Sequence, residues 1–198
     1  KAGADYGLAV TPYYNKPNQD GLINHFKIIA KATPLKQIIY NIPGRSIVDL
    51  SLDSFKELNK ISNIVAIKDA SNDISRPLLM RTFMKKDFNY LSGEDGTIAG
   101  FLAQGGHGCI TVAGNVAPKL TSELHKSWSQ KQWKKFDKIN LQLAPLSKVL
   151  FQEPNPTPTK YALSLMGFCS EEVRAPLIKL STKTKKDIKK VLKILKYI

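Results

Sequence analysis

Short runs of apolar, mostly β-branched residues recur along the first 112 positions: Gly7-Leu-Ala-Val-Thr11, Gln37-Ile-Ile-Tyr40, Ile64-Val-Ala-Ile67, Tyr90-Leu-Ser92 and Cys109-Ile-Thr-Val112. They are continuous rather than alternating, the pattern of parallel strands covered on both faces. Between them the apolar spacing turns helical, over residues 21–31, 52–61, 75–86 and 96–104. Ser51-Leu52-Asp53 and Ser75-Arg76-Pro77 are helix-entry signals, the second with proline in the first turn. After Val112 the pattern is helical throughout, over residues 118–126, 131–150, 158–165 and 183–195.

So regular a βα alternation leaves two architectures, a doubly wound sheet or a (β/α)8 TIM barrel. The polar residues decide between them. Each apolar run closes on its C-terminal side in a chemically loaded group: Thr11-Pro-Tyr-Tyr14, Tyr40-Asn41, Lys68-Asp69, Ser92-Gly-Glu-Asp95 and the Ile110 region. A barrel gathers the C-terminal end of every strand at one mouth, where barrel enzymes carry their chemistry. A doubly wound sheet concentrates ligand groups at one switch point, and no Gly-x-Gly-x-x-Gly follows a first strand here. The expected architecture is therefore an α/β chain holding about the last five strands of a TIM barrel over residues 1–126, with a C-terminal helical extension over 127–198.

A net charge of +14 raises the question of nucleic acid. Residues 1–125 carry 14 Lys and Arg against 11 Asp and Glu, whereas residues 126–198 carry 16 against 5. Only four of the basic residues are arginine (Arg45, Arg76, Arg81, Arg174), although base readout and phosphate forks favour arginine. The eight lysines from Lys179 to Lys196 lie around an amphipathic helix and read as a solvated face. No apolar stretch approaches the roughly 20 residues needed to cross a bilayer, so neither a transmembrane helix nor a secretory h-region is expected among these residues. Cys109 and Cys169 have apolar neighbours and no metal-ligand spacing, so two reduced thiols in a cytoplasmic protein are expected.

Lys68 ends a strand of apolar residues. At a barrel mouth its ammonium is partly desolvated, which lowers its pKa and populates the neutral amine that attacks ketones to form a Schiff base. The competing reading is a strand-end lysine reaching to solvent. Tyr40 ends the preceding strand, where its phenol can relay a proton beside Lys68 or simply pack. Arg45, in Pro43-Gly-Arg-Ser46, sits on a turn able to hold a carboxylate by two parallel hydrogen bonds, or in solvent. Gly93 and the glycines around His107 let backbone approach a small ligand, and His107 reads as a turn residue rather than a base.

Six segments together, Thr11-Pro-Tyr-Tyr-Asn15, Tyr40-Asn-Ile-Pro-Gly-Arg45, Ile67-Lys-Asp-Ala-Ser71, Leu91-Ser-Gly-Glu-Asp95, Gly105-Gly-His-Gly-Cys-Ile-Thr-Val112 and Glu153-Pro-Asn-Pro-Thr-Pro-Thr-Lys160, resemble the dihydrodipicolinate synthase family of the pyruvate-dependent class I aldolase superfamily. The resemblance implies a cytoplasmic lyase of lysine and diaminopimelate biosynthesis. Such an enzyme condenses pyruvate with L-aspartate 4-semialdehyde to 4-hydroxy-tetrahydrodipicolinate. It implies a homotetramer, a dimer of dimers, with no cofactor beyond the covalent Schiff base, no metal, no nucleic acid and no membrane. Lys68 matches the Schiff-base lysine, Tyr40 the proton donor and acceptor, and Tyr14 the tyrosine that joins the relay from a neighbouring subunit. Arg45 matches the arginine that binds the semialdehyde carboxylate, while the Ile110 backbone matches a pyruvate contact; Gly93 stays a substrate-binding candidate on its close backbone approach alone. Tyr13 matches a residue near the cleft where lysine inhibits many members. N-acetylneuraminate lyase and the 2-keto-3-deoxy sugar-acid aldolases share the lysine and tyrosine; Arg45 favours the synthase.

The chain departs from the family in length. A complete (β/α)8 domain needs roughly 250 residues, and the first three β/α units, with their pair of adjacent threonines, are absent here. The first residue is Lys1, not Met. These points fit a piece of a longer enzyme; the alternative is a truncated, catalytically silent remnant whose open strand edges invite association.

Overall fold

The computed structural model describes residues 3–198, which divide into two compact units, one ending at Ile110 and the other running from Thr111 to Ile198. The division falls at the end of the last strand. The reason is that the helices from Ala113 onward pack on one another.

The first unit is a parallel five-stranded sheet in sequential order: β1 (Tyr6–Val10), β2 (Lys36–Asn41), β3 (Ile64–Asp69), β4 (Asn89–Ser92) and β5 (Gly108–Cys109). Sequential order without reversal is barrel topology, since a doubly wound sheet must turn back at its switch point. The connecting helices are α1 (Gln19–Ala32), α2 (Pro43–Ser46), α3 (Leu52–Leu58), α4 (Arg76–Met80) and α5 (Ile98–Ala103). Asn18 caps α1 by accepting from the Gly21 N–H at 3.0 Å, and Ser51 caps α3 through Ser54 N–H at 3.1 Å.

Register fixes which face does what. Ile39 pairs with Ile67 and Asn41 with Asp69 on the helix side, while Ile38 pairs with Ala66 and Tyr40 with Lys68 on the opposite side. The helix side holds the core, where Ile39 and Ile67 pack with Leu22 and Phe26 of α1, Phe55 and Leu58 of α3, and Met80 of α4. The other face, which a closed barrel turns inward, is less covered. Leu8 and Val10 on β1 stay 49% and 38% exposed. Continuous apolar strands therefore have one buried face here rather than the two expected, because five strands form an arc and not a closed ring.

Several elements are shorter than their patterns predict, and α3, expected over 52–61, already ends at Leu58. The helix expected over 75–86 stops at Met80, because the side chain of Asn59 claims the next backbone groups: its Nδ2 donates to Phe83 O at 3.2 Å and its Oδ1 accepts from Lys85 N–H at 3.1 Å. The strand expected to reach Val112 ends at Cys109, and Thr111 turns the chain into the short helix α6 (Ala113–Val116) by accepting from Gly114 N–H at 3.0 Å.

In the second unit α6 is followed by α7 (Pro118–Ser129), α8 (Trp133–Leu150), α9 (Thr157–Leu165) and α10 (Thr182–Ile194). Phe136, Ile139, Leu143, Leu146 and Leu150 line the buried face of α8, and Ile188, Val191 and Leu192 that of α10. The Trp128 ring lies 5.1 Å from the rings of both Trp133 and Phe136. Along α10, Lys185 pairs with Glu171 at 2.6 Å, and the remaining lysines occupy the side away from its buried stripe. No helix among the described residues is long and apolar enough to cross a membrane.

Candidate active site

Because Tyr40 and Lys68 are register partners at adjacent strand ends, their side chains leave the same face at the same height. The Lys68 Nζ stands 3.9 Å from the centroid of the Tyr40 ring. Burial lowers the Lys68 pKa below the ordinary lysine value; the Arg45 charge acts in the same direction and the Asp95 carboxylate opposes it. The ring also favours the charged amine, but a half-exposed cation–π contact contributes only about 0.5–1 kcal/mol, and desolvation prevails. Burial likewise raises the Tyr40 pKa, against the lowering effect of Arg45, so the phenol is protonated at neutral pH. A less basic amine and a protonated phenol thus share one spot.

Gly93 forms the floor of this spot. Its N–H donates to Asp69 O at 2.6 Å, and a Cβ there would stand 3.0 Å from Ala70 Cβ, 3.1 Å from Lys68 Cε and 3.2 Å from Asp69 O. Only hydrogen fits without disturbing the lysine stem. The following turn is closed by Ser92, whose Oγ donates to Glu94 O at 3.0 Å, and leads into a 3-10 turn (Asp95–Thr97) that holds the buried Asp95. The Ile110 N–H donates to Ser92 O at 2.9 Å, so a contact from the Ile110 backbone to a ligand goes through its carbonyl.

Arg45 is carried on the single turn α2, which Pro43 starts and a left-handed residue ends. Ile47 has φ +67°, an outlier for a β-branched side chain, maintained by its N–H donating to Pro43 O at 2.8 Å. The Ser46 Oγ lies 2.9 Å from both the Ile42 and Val48 carbonyl oxygens and locks the turn. Arg45 and Tyr13 line one cavity of about 380 Å3 with Leu8, Val10, Tyr40 and Ile42.

The structure therefore brings Lys68, Tyr40, Gly93 and Ile110 to adjoining strand ends, with Arg45 and Tyr13 on the rim. Tyr14 is 88% exposed and does not line the cavity. His107 is a structural residue, as its glycine-rich setting predicts. Its Nδ1 accepts from Tyr90 N–H at 3.1 Å and its ring stacks on Tyr90. Cys109, at the edge of the site, is pushed up to about 12 by burial and then by the Asp95 carboxylate, which leaves it a protonated, unreactive thiol. Among the described residues no three His, Cys, Asp or Glu side chains cluster as metal ligands. Sequence reasoning missed Asp95 as the acidic neighbour of Lys68; its position two residues beyond Gly93, in a segment already rich in polar groups, was the available signal.

An arc of parallel strands whose C-terminal ends gather an amine of lowered basicity, a phenol and a guanidinium places the molecule among the (β/α)8-barrel proteins with an amine-centred mouth. The chain belongs to the Dihydrodipicolinate synthetase family, whose sequence profile matches residues 1–195. It is 49% identical over 185 residues to a 4-hydroxy-tetrahydrodipicolinate synthase of Bradyrhizobium diazoefficiens, a match that covers 93% of this chain and 62% of that enzyme. The chain thus spans less than two thirds of this curated relative. Dihydrodipicolinate synthase from Aquifex aeolicus superposes with a TM-score of 0.95 at 38% identity, over 98% of this chain and 67% of that one. The chloride-inhibited enzyme from Acinetobacter baumannii, solved with pyruvate, superposes with a TM-score of 0.94 at 40% identity, over 99% and 67% of the two chains. The α/β barrel assignment therefore holds for this chain.

Proposed function

We propose that this chain carries the pyruvate-binding machinery of a 4-hydroxy-tetrahydrodipicolinate synthase, a cytoplasmic Schiff-base lyase that condenses pyruvate with L-aspartate 4-semialdehyde. The observation that carries the proposal is the Lys68 Nζ, of lowered pKa, standing 3.9 Å from the Tyr40 ring at the strand ends. The neutral amine of Lys68 adds to the C2 carbonyl of pyruvate. Tyr40 relays protons to the departing oxygen, which leaves as water, and an iminium remains. The iminium withdraws the electron pair of a C3–H bond, whose proton passes to the Tyr40 relay; the resulting enamine carbon attacks the aldehyde of the second substrate, and the aldehyde oxygen takes up a proton from that relay to become the hydroxyl. The amino group of the semialdehyde then displaces Lys68 from C2, which closes the ring and regenerates the enzyme amine.

Arg45 suits the semialdehyde carboxylate, because it presents a fork of donors on a locked turn at the rim of the cavity. Gly93 leaves room for pyruvate beside the lysine stem, and the Ile110 carbonyl adds a backbone contact. Tyr14 is assigned to the relay of a neighbouring subunit in a homotetramer, and Tyr13 to a lysine-responsive cleft. No organic cofactor is required, since the lysine itself supplies the electron sink. The relatives named above are synthases of this type, and none among them is a sugar-acid aldolase.

Incubation with pyruvate and borohydride, followed by peptide mapping, tests the proposal. A reduced pyruvyl adduct on Lys68 is the expected result; an adduct on another lysine, or none, refutes it.

A further inference from the structure

Directly behind the Tyr40–Lys68 pair, on the helix side of the sheet, lies a buried polar cluster that the chemistry above does not use. Asn41 follows Tyr40 and Asp69 follows Lys68, so their side chains leave the opposite face from the reacting pair. Asn41 Nδ2 donates to Asp69 Oδ1 at 3.0 Å and to Asp49 Oδ1 at 2.7 Å, and its Oδ1 accepts from Leu50 N–H at 3.1 Å. Arg76, at the start of α4 and only 7% exposed, donates from Nη1 to Leu50 O and from Nη2 to Asp49 Oδ2, both at 2.8 Å. Its Nε lies 3.8 Å from Asp69 Oδ2 and has no hydrogen-bond partner, while that oxygen accepts from Ser71 Oγ at 2.7 Å.

Such a cluster is a poor way to stabilise a fold. Burial pushes the Asp69 carboxyl up, although Asn41, Arg76 and Ser71 all favour its charged form, and an arginine donor is left unpaired. A well-packed apolar group of similar volume is often neutral or stabilising in place of buried ions. What the cluster does achieve is geometric. It ties together the end of β2, the end of β3, the start of α4 and the 47–50 segment that follows the Arg45 turn, and it does so from the side that leaves the mouth free.

We propose that Arg76, through Asp49, Asn41 and Asp69, is a positioning residue that sets the placement of Lys68 against Tyr40 and of the Arg45 turn above them. The proposal rests on the Schiff-base reading of Lys68. The charged and titratable groups around that amine are Tyr40 on β2, Arg45 on α2 and Asp95 beyond β4, with the protonated Cys109 of β5 at the edge and Asp69 behind it. Loss of the clamp loosens the strand ends, and the amine relaxes toward solvent and ordinary basicity.

The test compares the parent chain with Arg76→Met, Arg76→Lys and Asp49→Ala. Asp49 is the half-exposed member, and its removal leaves the buried Arg76 with the Leu50 carbonyl and the Asp69 carboxylate at 3.8 Å as partners. Three quantities are read: the pH profile of Lys68 acetylation by acetic anhydride, mapped by mass spectrometry and independent of pyruvate; the rate of borohydride-trapped adduct formation; and the melting temperature by circular dichroism. Arg76→Met and Asp49→Ala are expected to move the Lys68 acetylation profile to higher pH and to slow adduct formation about tenfold or more, in keeping with the roughly hundredfold sensitivity of reactive geometry to about 1 Å of misplacement. Arg76→Lys restores the charge without the fork and is expected to recover only part of the rate. A lower melting temperature with unchanged profile and rate would reduce the cluster to a structural role and overturn the proposal, as would full recovery by Arg76→Lys. If Arg76→Met does not fold, Asp49→Ala decides on the same readouts. A parent chain that forms no adduct refutes the pyruvate reading, and the acetylation profile then still decides the positioning role by itself.

Discussion

A single methyl group placed at Gly93 tests the site most sharply. The glycine backbone is not in the left-handed region, so Gly93→Ala brings no backbone strain and acts through contact alone. Its Cβ would meet Ala70 Cβ at 3.0 Å, Lys68 Cε at 3.1 Å and Asp69 O at 3.2 Å, each short of the 3.4 Å where ordinary contact begins. Two of those neighbours are tied to β3 and its ladder; the third is the flexible stem of Lys68, so the lysine is what moves. Overpacking of this kind typically destabilises by about 1–3 kcal/mol, worth about 2–4 °C in melting temperature per kcal/mol for a chain of this size. The effect on chemistry is larger, because a displacement of a few tenths of an ångström at Cε is amplified at Nζ. We expect borohydride-trapped pyruvate adduct to form about ten- to a hundredfold more slowly, with the circular dichroism spectrum unchanged. An adduct rate equal to that of the parent chain, in a folded Gly93→Ala variant, would show that Lys68 does not react from the position described.

Four further outcomes follow from the same geometry. Tyr40→Phe keeps the ring beneath the amine but removes the proton, so adduct formation should slow by about 10²–10⁴, measured by stopped trapping with borohydride. Arg45→Ala should raise KM for an acidic aldehyde with little change in its saturation by pyruvate, as initial rates against each substrate will show. Removal of the Arg45 charge, which helps to lower the Lys68 pKa, should also move the rising limb of the pH–rate profile to higher pH. Lys68→Met should raise the melting temperature at pH 7: the folded-state pKa of Lys68 lies below its unfolded value, so half-burying its charge opposes folding at every pH below the folded pKa, and that penalty fades as pH rises toward 10.5. Melts at pH 7 and above 10.5 should therefore show the gain shrinking, and a gain that persists undiminished would contradict the assigned sign.

The alternation of strands and helices was legible because continuous apolar runs and helical spacing are local properties. The placement of Lys68 beside Tyr40 was legible for a related reason: each opens the polar end of an apolar run, and parallel order places such ends side by side. The cluster behind them was not, since Asn41 meets Asp49 across a loop and Asp69 across 28 positions, while Arg76 meets Asp49 across 27. Nothing in the neighbourhood of Arg76 distinguishes a clamp from a first-turn helix residue. The early end of α4 was hidden likewise, because Asn59, which takes over the next backbone groups, lies 24 and 26 residues upstream of its partners.

The Trp128–Trp133–Phe136 cluster has a practical consequence. Both tryptophans of the chain lie in the helical unit and the unit that holds Lys68 has none, so excitation selective for indole over tyrosine reports one half only. Indole emission during heating or denaturant titration follows the helical unit alone, whereas the capacity of Lys68 to be trapped follows the sheet. Coincidence of the two curves would mark the chain as a single cooperative block, and a gap between them would measure how independently the halves melt.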